Sequence, residues 1–430
     1  MTLESFRIEG GTPLAGVVRV GGAKNAVLPI LAAALLTDEP VEVRNVPDLA
    51  DVATMVRILE ELGAEVLHDR AERTIRVQAR AIEPVAPWEL VRKMRASFEV
   101  LGPLLGRFGR AEVSYPGGCV FGVRPVDVHL KGFEGLGAVV ETEAGYVRAT
   151  ARGERLAGGD VFLGTPSGAS VGATRNVLMG AVLATGTSRL LSAACEPEVV
   201  DLCRLLVSMG AKIDGIGSPI LVIEGVERLR GTIHEVIPDR IEAGTYLAAG
   251  AITGGRVRVE GCVPDDLAAE LDLFHKAGIA VERGPTWVEV QERDVQAERL
   301  RPTDVTTQPH PGFPTDMQAQ WMALMCLADG VSLLTERIFP DRYMHMAELL
   351  RLGAKVRRQG SAAVVHGIPK LSGASVMASD LRASASLVLA GLVADGVTEV
   401  HRVYHIDRGY ERIEERLRAL GARIERVAGQ

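Results

Sequence analysis

The 430-residue chain is short of the features that mark several classes of protein. Its longest stretches dominated by apolar residues, 27–36 and 385–394, are ten residues each, about half of what a membrane-spanning helix needs. The five cysteines have no close spacing, and the nine histidines form no metal-binding pattern. The sequence therefore offers neither a disulfide framework nor a set of metal ligands, and we expect no metal and no membrane span.

An excess of positive charge is also missing. The chain has 48 basic and 55 acidic side chains, a net charge of −7, whereas a nucleic-acid binder is normally basic or carries a dense basic stripe. Residues 1–7 lack the basic end and apolar stretch of a signal peptide. Apolar residues make up 47% and charged residues 24%, as in ordinary globular proteins. We expect a cytosolic, soluble α/β protein with no nucleic-acid, membrane or obligate protein partner.

What the sequence does contain is an internal repeat, of which six copies fill the chain. A phrase of a large apolar residue or alanine, then glycine and a strand-like segment, occurs six times at nearly regular intervals. Each of these glycines predicts the end of a helix with a strand after it. They are Gly63, Gly137, Gly210, Gly278, Gly353 and Gly421.

A second phrase lies about half a repeat before each of these glycines. It is a run of small and apolar residues without a polar face, which is typical of a helix buried on all sides. Each repeat is thus interpreted as buried helix, strand, amphipathic helix and two strands. If the helix N-termini face one cleft, they would attract anions. The runs open at Lys24-Asn25, Arg95-Ala96-Ser97, Ser170-Val171-Gly172, Arg240-Ile241-Glu242, Asp316-Met317-Gln318 and Asp380-Leu381-Arg382.

A third phrase indicates how the repeats are grouped. Isoleucine or valine followed by glycine, leucine and glycine occurs at 223–231, at 365–373 and also at 8–16, before the first repeat. The sixth repeat ends nine residues after Gly421, too soon for its last strand. We therefore expect residues near 1–20 to complete it. Residues 22–230 would form one three-repeat domain, residues 1–21 with 231–430 the other, and substrates would bind between them.

Several residues at the predicted helix starts could carry chemistry. Lys24 follows two glycines and could hold an anion together with helix amides, although a solvated lysine after a turn would have the same pattern. Cys119 lies in a glycine-rich loop near Arg124, which suits a thiol whose pKa a cation lowers, whereas most free cysteines are buried and inert. Asp316 and Asp380 could be helix caps, catalytic groups or both.

Arginines gather at the same predicted rim. Together with Lys24, they are numerous enough to bind a polyanionic substrate pair, although each alone would be an ordinary surface or structural residue. They are Arg95, Arg124, Arg240, Arg342, Arg382 and Arg408.

Six motifs in collinear order resemble those of the enolpyruvyl transferase family, and within it the enzymes that act on UDP-N-acetylglucosamine. The resemblance implies an α/β fold of two inside-out α/β barrel domains, each of three repeated units with buried helices. It also implies transfer of the enolpyruvyl group of phosphoenolpyruvate to the sugar 3-hydroxyl, without a cofactor, as the first committed step of peptidoglycan synthesis. The motifs are 22–25, 94–97, 116–119, 313–320, 380–384 and 404–410.

The resemblance further implies a role for individual residues. Cys119 would protonate C3 of phosphoenolpyruvate and be the target of fosfomycin, Asp316 would accept the hydroxyl proton, and Asp380 would be a second carboxylate near the reacting carbon. Phosphoenolpyruvate would be bound by Lys24, Asn25, Arg124 and Arg408, of which Lys24 and Arg408 also count as catalytic. The nucleotide sugar would be bound by Arg95, Arg124, Pro125, Val126, Asp127, Val128, Ser170, Val171, Gly172, Asp316 and the backbone of Ile338.

Two departures from the family pattern remove positive charge. Residues 48–51 read Asp-Leu-Ala-Asp where many relatives carry lysines, and Gly168 stands where relatives often have a lysine. The first alternative function is the sister transferase of the shikimate pathway, which lacks the Pro-Gly-Gly-Cys loop. The second is a non-catalytic paralogue that binds a nucleotide sugar, for which a broken catalytic set would be expected.

Overall fold

A computed structural model describes residues 4–92, 94–116 and 126–428. The α-helices in these ranges are α1 (Lys24–Ala33), α2 (Ala50–Glu61), α3 (Trp88–Val91), α4 (Leu101–Phe108), α5 (Asp127–Gly135), α6 (Val171–Ala181), α7 (Pro197–Ser208), α8 (Arg240–Thr253), α9 (Ala268–Ala277), α10 (Gln318–Met325), α11 (His345–Arg351), α12 (Ala383–Val393) and α13 (Ile413–Ala419). Short 3₁₀ helices cover Ala34–Leu36, Arg95–Val100, Pro264–Leu267, Thr315–Met317 and Val403–Arg408.

The strands in the same ranges are short, at two to six residues. They are β1 (Ser5–Glu9), β2 (Ala15–Arg19), β3 (Val41–Arg44), β4 (Glu65–Asp69), β5 (Thr74–Gln78), β6 (Val85–Ala86), β7 (Arg110–Ser114), β8 (Ala138–Glu143), β9 (Tyr146–Ala151), β10 (Asp160–Phe162), β11 (Gly164–Thr165), β12 (Gly168–Ala169), β13 (Thr187–Leu191), β14 (Lys212–Asp214), β15 (Ile220–Glu224), β16 (Thr232–Glu235), β17 (Arg256–Glu260), β18 (Val281–Arg283), β19 (Trp287–Val290), β20 (Val305–Thr306), β21 (Val331–Thr335), β22 (Lys355–Gln359), β23 (Ala362–His366), β24 (Ser375–Met377), β25 (Val397–His401) and β26 (Arg423–Val427).

Of the 26 strands in these ranges, 24 form one four-stranded sheet per repeat, and these six sheets follow the same plan, while β11 and β12 form a separate two-stranded sheet. The strand after the buried helix pairs antiparallel with the last strand of the repeat, which pairs antiparallel with the middle one. A further short strand pairs in parallel with the first, an addition that the sequence interpretation did not contain. The orders are β16-β3-β5-β4, β6-β7-β9-β8, β10-β13-β15-β14, β2-β17-β19-β18, β20-β21-β23-β22 and β24-β25-β1-β26.

The chain divides into two compact units. Domain A is Gly22–Ile237, and domain B is Met1–Gly21 with Pro238–Gln430. The expectation that the N-terminus completes the sixth repeat is confirmed, because β1 lies between β25 and β26. The expected boundary at residue 230 is wrong by a few residues, since β16 pairs in parallel with β3 and so belongs to domain A.

The buried helices are as the sequence predicts. Every residue of α8 and of α10 is buried, and each domain has its own hydrophobic core around such helices. A helix buried on all sides places only its two ends near solvent, so its N-terminal residues are where function can lie. No helix in the described ranges is both long and apolar enough to cross a membrane.

Glycine is required at the recurring positions for two different structural reasons. All six glycines of the first phrase have φ between +84° and +106°, the left-handed conformation that favours glycine at a helix end. In the third phrase, Gly225 and Gly367 face backbone. A Cβ atom there would lie 1.8 Å from the carbonyl oxygen of Ala184 or Ala328, just after the buried helix of the same repeat. At Gly10 the corresponding distance, to the Ala394 oxygen, is 2.2 Å.

Candidate active site

Lys24 and Asn25 are the first two residues of α1 in domain A. The Lys24 ammonium is buried and lies 2.9 Å from the carboxylate of Asp51, in the first turn of α2. The alternative of a solvated lysine is therefore wrong. Gly22 has to be glycine because its Cβ would lie 1.9 Å from the Asn45 carbonyl oxygen. The glycines thus let the chain pass close to its neighbour and present Lys24 at a helix N-terminus.

The start of α6 is the third of the predicted helix openings in domain A. Ser170 is the N-cap, and its Oγ accepts a hydrogen bond from the Ala173 amide at 3.4 Å. Val171 and Gly172 follow as the first helical residues. A Cβ on Gly172 would lie 3.3 Å from Cε1 of His129, so glycine allows α5 and α6 to approach. Gly168 has φ +107°, a conformation in which the lysine of the family pattern would be strained.

A buried ion pair lies among these helix starts. Nη2 of Arg175, in α6, is 2.5 Å from Oε1 of Glu99. Burial raises the pKa of Glu99, while Arg175 and Arg95 act in the opposite direction. Burial, with Arg95 and Arg175 nearby, lowers the pKa of His129 to about 3. His129 is therefore neutral near pH 7, with its Nδ1 3.0 Å from Nδ2 of Asn176.

The other predicted nucleotide-sugar residues of domain A lie on nearby elements or outside the described ranges. Arg95 begins the 3₁₀ helix Arg95–Val100, and Asp127 is the exposed first residue of α5, after the buried Val126 and before the half-buried Val128. Cys119, Arg124 and Pro125 are outside the described residues.

In domain B, one arginine joins the two predicted carboxylates. Nη1 of Arg342 lies 2.6 Å from Oδ1 of Asp316, and its Nε lies 3.2 Å from Oδ2 of Asp380. Arg342 and Asp380 are buried, whereas the Asp316 side chain is 25% exposed. Asp316 is therefore the carboxylate that a bound molecule can reach, with its negative charge fixed by a buried cation. The two carboxylates raise the pKa of Arg342 further, against the effect of burial.

A second arginine extends this network to α8, the remaining buried helix of domain B. Arg382 is 1% exposed, and its Nη2 lies 2.6 Å from Oδ2 of Asp239, the N-cap of α8. Its backbone amide donates to Oδ1 of Asp380 at 2.8 Å, so Asp380 stabilises the turn before α12, although the N-cap of that helix is Arg382. Asp380 is thus held from two sides, by Arg342 and by the backbone of residue 382.

Arg408 and Ile338 lie elsewhere in domain B. Arg408 ends the 3₁₀ helix Val403–Arg408 and is half-buried. Burial, with Arg408 and Arg402 nearby, lowers the pKa of His405. The backbone amide of Ile338 donates to Oε1 of Glu336 at 2.8 Å, so a contact from Ile338 to a sugar would be made by its carbonyl oxygen.

The sequence identifies Arg342 and Arg382 only as members of an arginine-rich rim, and it does not identify Glu99, Arg175 or Asp239 as site residues. Asp239 carried a signal, because an aspartate directly before a buried helix is a preferred cap. The remaining cysteines in the described ranges are free thiols, and burial raises the pKa of Cys203 and of Cys326 to about 12. Within those ranges, no group of three His, Cys, Asp or Glu side chains is placed to hold a metal ion.

Comparisons with known proteins match nearly the whole chain to enolpyruvyl transferases. Residues 8–417 match the family model described as EPSP synthase (3-phosphoshikimate 1-carboxyvinyltransferase). A protein of Anaeromyxobacter dehalogenans (strain 2CP-C) named UDP-N-acetylglucosamine 1-carboxyvinyltransferase is 56% identical over 429 residues, 99% of this chain and 100% of that protein. Its counterpart in Anaeromyxobacter sp. (strain Fw109-5) is 55% identical over 427 residues, 99% of each chain.

Solved structures show the same fold. The crystal structure of the enolpyruvyl transferase NikO from Streptomyces tendae has a TM-score of 0.89 at 28% identity, with 100% of both chains covered. An EPSP synthase from Acinetobacter baumannii has a TM-score of 0.73 at 18% identity, with 99% of this chain and 100% of the other covered. The second likeness concerns the fold alone.

Proposed function

The chain belongs to the enolpyruvyl transferase family and is a transferase, and from that premise we propose that it transfers the enolpyruvyl group of phosphoenolpyruvate to the 3-hydroxyl of UDP-N-acetylglucosamine. The observation that carries the proposal is the 56% identity, over nearly the whole chain, to a relative named for this sugar nucleotide. The enzyme would act in the cytoplasm, at the first committed step of peptidoglycan synthesis, and through it affect cell shape and division.

The proposed reaction is an addition followed by an elimination. A proton adds to C3 of phosphoenolpyruvate while the sugar oxygen bonds to C2 and loses its own proton, which gives a tetrahedral ketal. The ketal then loses phosphate from C2 and a proton from C3, so that the double bond forms again. No oxidant, metal or cofactor is needed for this balance. Charge does develop on the ketal and the leaving phosphate, and fixed cations stabilise it.

In domain B, Asp316 is the group we propose as the acceptor of the hydroxyl proton. It is partly exposed and held at 2.6 Å by Arg342, and a general base has to be both ionised and fixed within hydrogen-bond reach of its substrate. Asp380, which is buried and held by the same arginine, would lie near the reacting carbon. Arg408 would bind phosphoenolpyruvate, and the carbonyl oxygen of Ile338 would contact the sugar.

In domain A, Lys24 and Asn25 would bind phosphoenolpyruvate at the N-terminus of α1, where helix amides attract anions. The pairing of Lys24 with Asp51 at 2.9 Å fixes the ammonium before a substrate binds. Arg95, Val126 to Val128 and the start of α6 at Ser170 to Gly172 would bind the nucleotide sugar. We propose that Cys119 protonates C3 and reacts with fosfomycin, and that Arg124 and Pro125 line the same site.

The experiment is a phosphate-release assay with purified protein. Phosphoenolpyruvate is supplied with UDP-N-acetylglucosamine or with shikimate 3-phosphate, each with and without fosfomycin. We expect release with the nucleotide sugar only, and we expect fosfomycin to block it through Cys119. Release with shikimate 3-phosphate alone would make the chain the sister transferase. A folded protein that releases phosphate with neither acceptor would overturn the proposal in favour of a binding paralogue.

A C119S variant separates the thiol from the rest of the site. We expect it to fold, to lose turnover and to bind UDP-N-acetylglucosamine with unchanged affinity in calorimetry, because serine is a much weaker acid than cysteine. A C195S variant is the matched control, since Cys195 is a half-buried free thiol in the same domain. Turnover of C119S at the wild-type rate would contradict the role of Cys119.

A further inference from the structure

The hydrogen bonding of α1 contains an anomaly at its first turn. Pro29 lies inside the helix, and proline has no backbone N–H to donate to the carbonyl four residues earlier. That carbonyl belongs to Asn25, the residue proposed to bind phosphoenolpyruvate. Its hydrogen bond comes instead from another helix, since Nη1 of Arg175 donates to the Asn25 oxygen at 2.7 Å.

The same guanidinium has a second fixed partner. Nη2 of Arg175 lies 2.5 Å from Oε1 of Glu99, which is in the 3₁₀ helix leading into α4. One side chain thus connects the N-terminal regions of the three buried helices of domain A. Both partners are buried, with Arg175 9% and Glu99 4% exposed, so water does not compete strongly for these hydrogen bonds.

We propose that Arg175 and Glu99 are positioning residues for the reaction. Arg175 fixes the first turn of α1 through the Asn25 carbonyl, and Glu99 fixes the direction of the Arg175 guanidinium. The inference rests on the proposed function, because it assigns the pair to the phosphoenolpyruvate site. Neither residue needs to touch the substrate. Their effect is on the placement of the Lys24 and Asn25 side chains.

A purely stabilising role is a weaker explanation of the pair. Desolvation offsets much of the attraction within a buried ion pair, and replacing both partners with apolar residues of similar size is often neutral for stability. Here the cost of burial is also incompletely compensated. Nε of Arg175 and Oε2 of Glu99 are both buried without a hydrogen-bond partner. What an apolar pair could not supply is a directed donor to the Asn25 carbonyl.

The first test uses R175M and the double variant E99L/R175M, assayed with phosphoenolpyruvate and UDP-N-acetylglucosamine. R175M leaves Glu99 buried and unpaired, so we expect it to lower both the thermal midpoint and the activity. The double variant removes the unpaired charge, and we expect a midpoint close to that of the wild type. Its kcat/KM for phosphoenolpyruvate should still fall on the order of tenfold to a hundredfold, as for a small displacement of binding groups.

The outcomes separate the two roles. A double variant with wild-type stability and wild-type kcat/KM would overturn the inference and leave the proposed function intact. An inactive but folded wild type would instead overturn the proposed function and, with it, the inference. The matched control is R189Q, because Arg189 forms an exposed pair with Asp160 in the same domain, at 3.0 Å. We expect no change in its kinetics.

A rescue experiment tests the link through Pro29. In P29A/R175M, residue 29 regains a backbone N–H that can donate to the Asn25 carbonyl. We expect this variant to have at least threefold higher kcat/KM for phosphoenolpyruvate than R175M. It should also have a KM for UDP-N-acetylglucosamine within twofold of that of R175M. No gain in kcat/KM for phosphoenolpyruvate would contradict a role at the first turn of α1.

Discussion

The two domains are built from the same repeat, yet the ion pairs at their candidate site residues are arranged in opposite ways. In domain A the carboxylates of Asp51 and Glu99 are buried and hold cations, Lys24 and Arg175, at the helix starts. In domain B a buried cation, Arg342, holds a carboxylate that is partly exposed, Asp316. One architecture can therefore present either sign of charge at its helix starts. The difference is which partner of the pair is buried more deeply.

The largest effect expected from this comparison is on Asp316. If domain B presents a base, D316N should lower kcat on the order of a thousandfold, because an amide accepts no proton in the transition state. KM for UDP-N-acetylglucosamine should change little. The measurement is steady-state kinetics, with D329N as a control because Asp329 is an exposed acceptor of an ion pair in the same domain. A D316N variant within tenfold of the wild-type kcat would remove the contrast between the domains.

The next largest effect concerns Arg342. Replacing it by methionine leaves the Asp316 and Asp380 carboxylates without the cation between them, so we expect kcat to fall on the order of a hundredfold. R342K should recover only a small part of this loss, since an ammonium lacks the planar fork that reaches both carboxylates. Circular dichroism and the thermal midpoint would establish that each variant is folded. Full activity of R342K would mean that charge alone, without geometry, is what domain B supplies.

A third prediction compares the backbone packing of the two domains rather than their charged residues. Gly225 in domain A and Gly367 in domain B would each place a Cβ 1.8 Å from a backbone carbonyl oxygen. G225A and G367A should therefore each reduce the free energy of unfolding by about 3 kcal/mol, a size typical of backbone strain and overpacking. Chemical denaturation measures this, with G153A as control, where the nearest atom is 3.8 Å away. Unequal losses would show that the repeats of the two domains differ in packing.

The smallest predicted effect is on the pH dependence of stability. Burial lowers the pKa of His129 in domain A to about 3 and that of His345 in domain B to about 4. Since folding disfavours the protonated imidazoles, the stability from keeping them neutral is present above pH 6.5 and is lost as the pH falls below 6.5. At pH 5 each histidine should cost about 2 kcal/mol.

Replacement by glutamine isolates each contribution. H129Q and H345Q should each show a smaller fall in thermal midpoint between pH 7.5 and pH 5 than the wild type. H366Q, at an exposed position, is the control and should keep the wild-type fall. At pH 7.5 we expect H129Q to be the less stable of the two variants, because His129 has a hydrogen-bond partner in Asn176. Identical pH profiles for all four proteins would contradict both burial effects.

The sequence predicts a structural feature well when the residues that determine it are close together in the chain. The glycine helix ends and the fully buried helices follow from residues within one turn or one helix, and the structure confirms them. The parallel edge strands cannot be predicted from local residues in this way. Two of them, β6 and β20, have only two residues each and therefore show no alternation of apolar and polar residues. Their pairing, and with it the domain boundary after Ile237, depends on a partner strand far along the chain.

The candidate site shows the same limit. Lys24, Asp316 and Asp380 can be identified from the sequence because they open apolar helices. Arg175 and Glu99 cannot, since an arginine-rich sequence and a separation of 76 residues leave no local mark of their pairing. One local mark did exist. Pro29, four residues after Asn25, indicates a backbone carbonyl that must find a donor outside its own helix.

The position of β1 has a consequence for how the protein is made. This strand is central in its sheet, with β25 on one side and β26 on the other, although it is synthesised at the opposite end of the chain, long before them. On the ribosome, domain A has all of its strands once residue 237 has emerged, so it can fold while translation continues. The strand β1 has no sheet to join until β25 and β26 have been made. Domain B therefore cannot complete this sheet until residues 423–427 have been synthesised, and β1 is without its partner strands throughout that time.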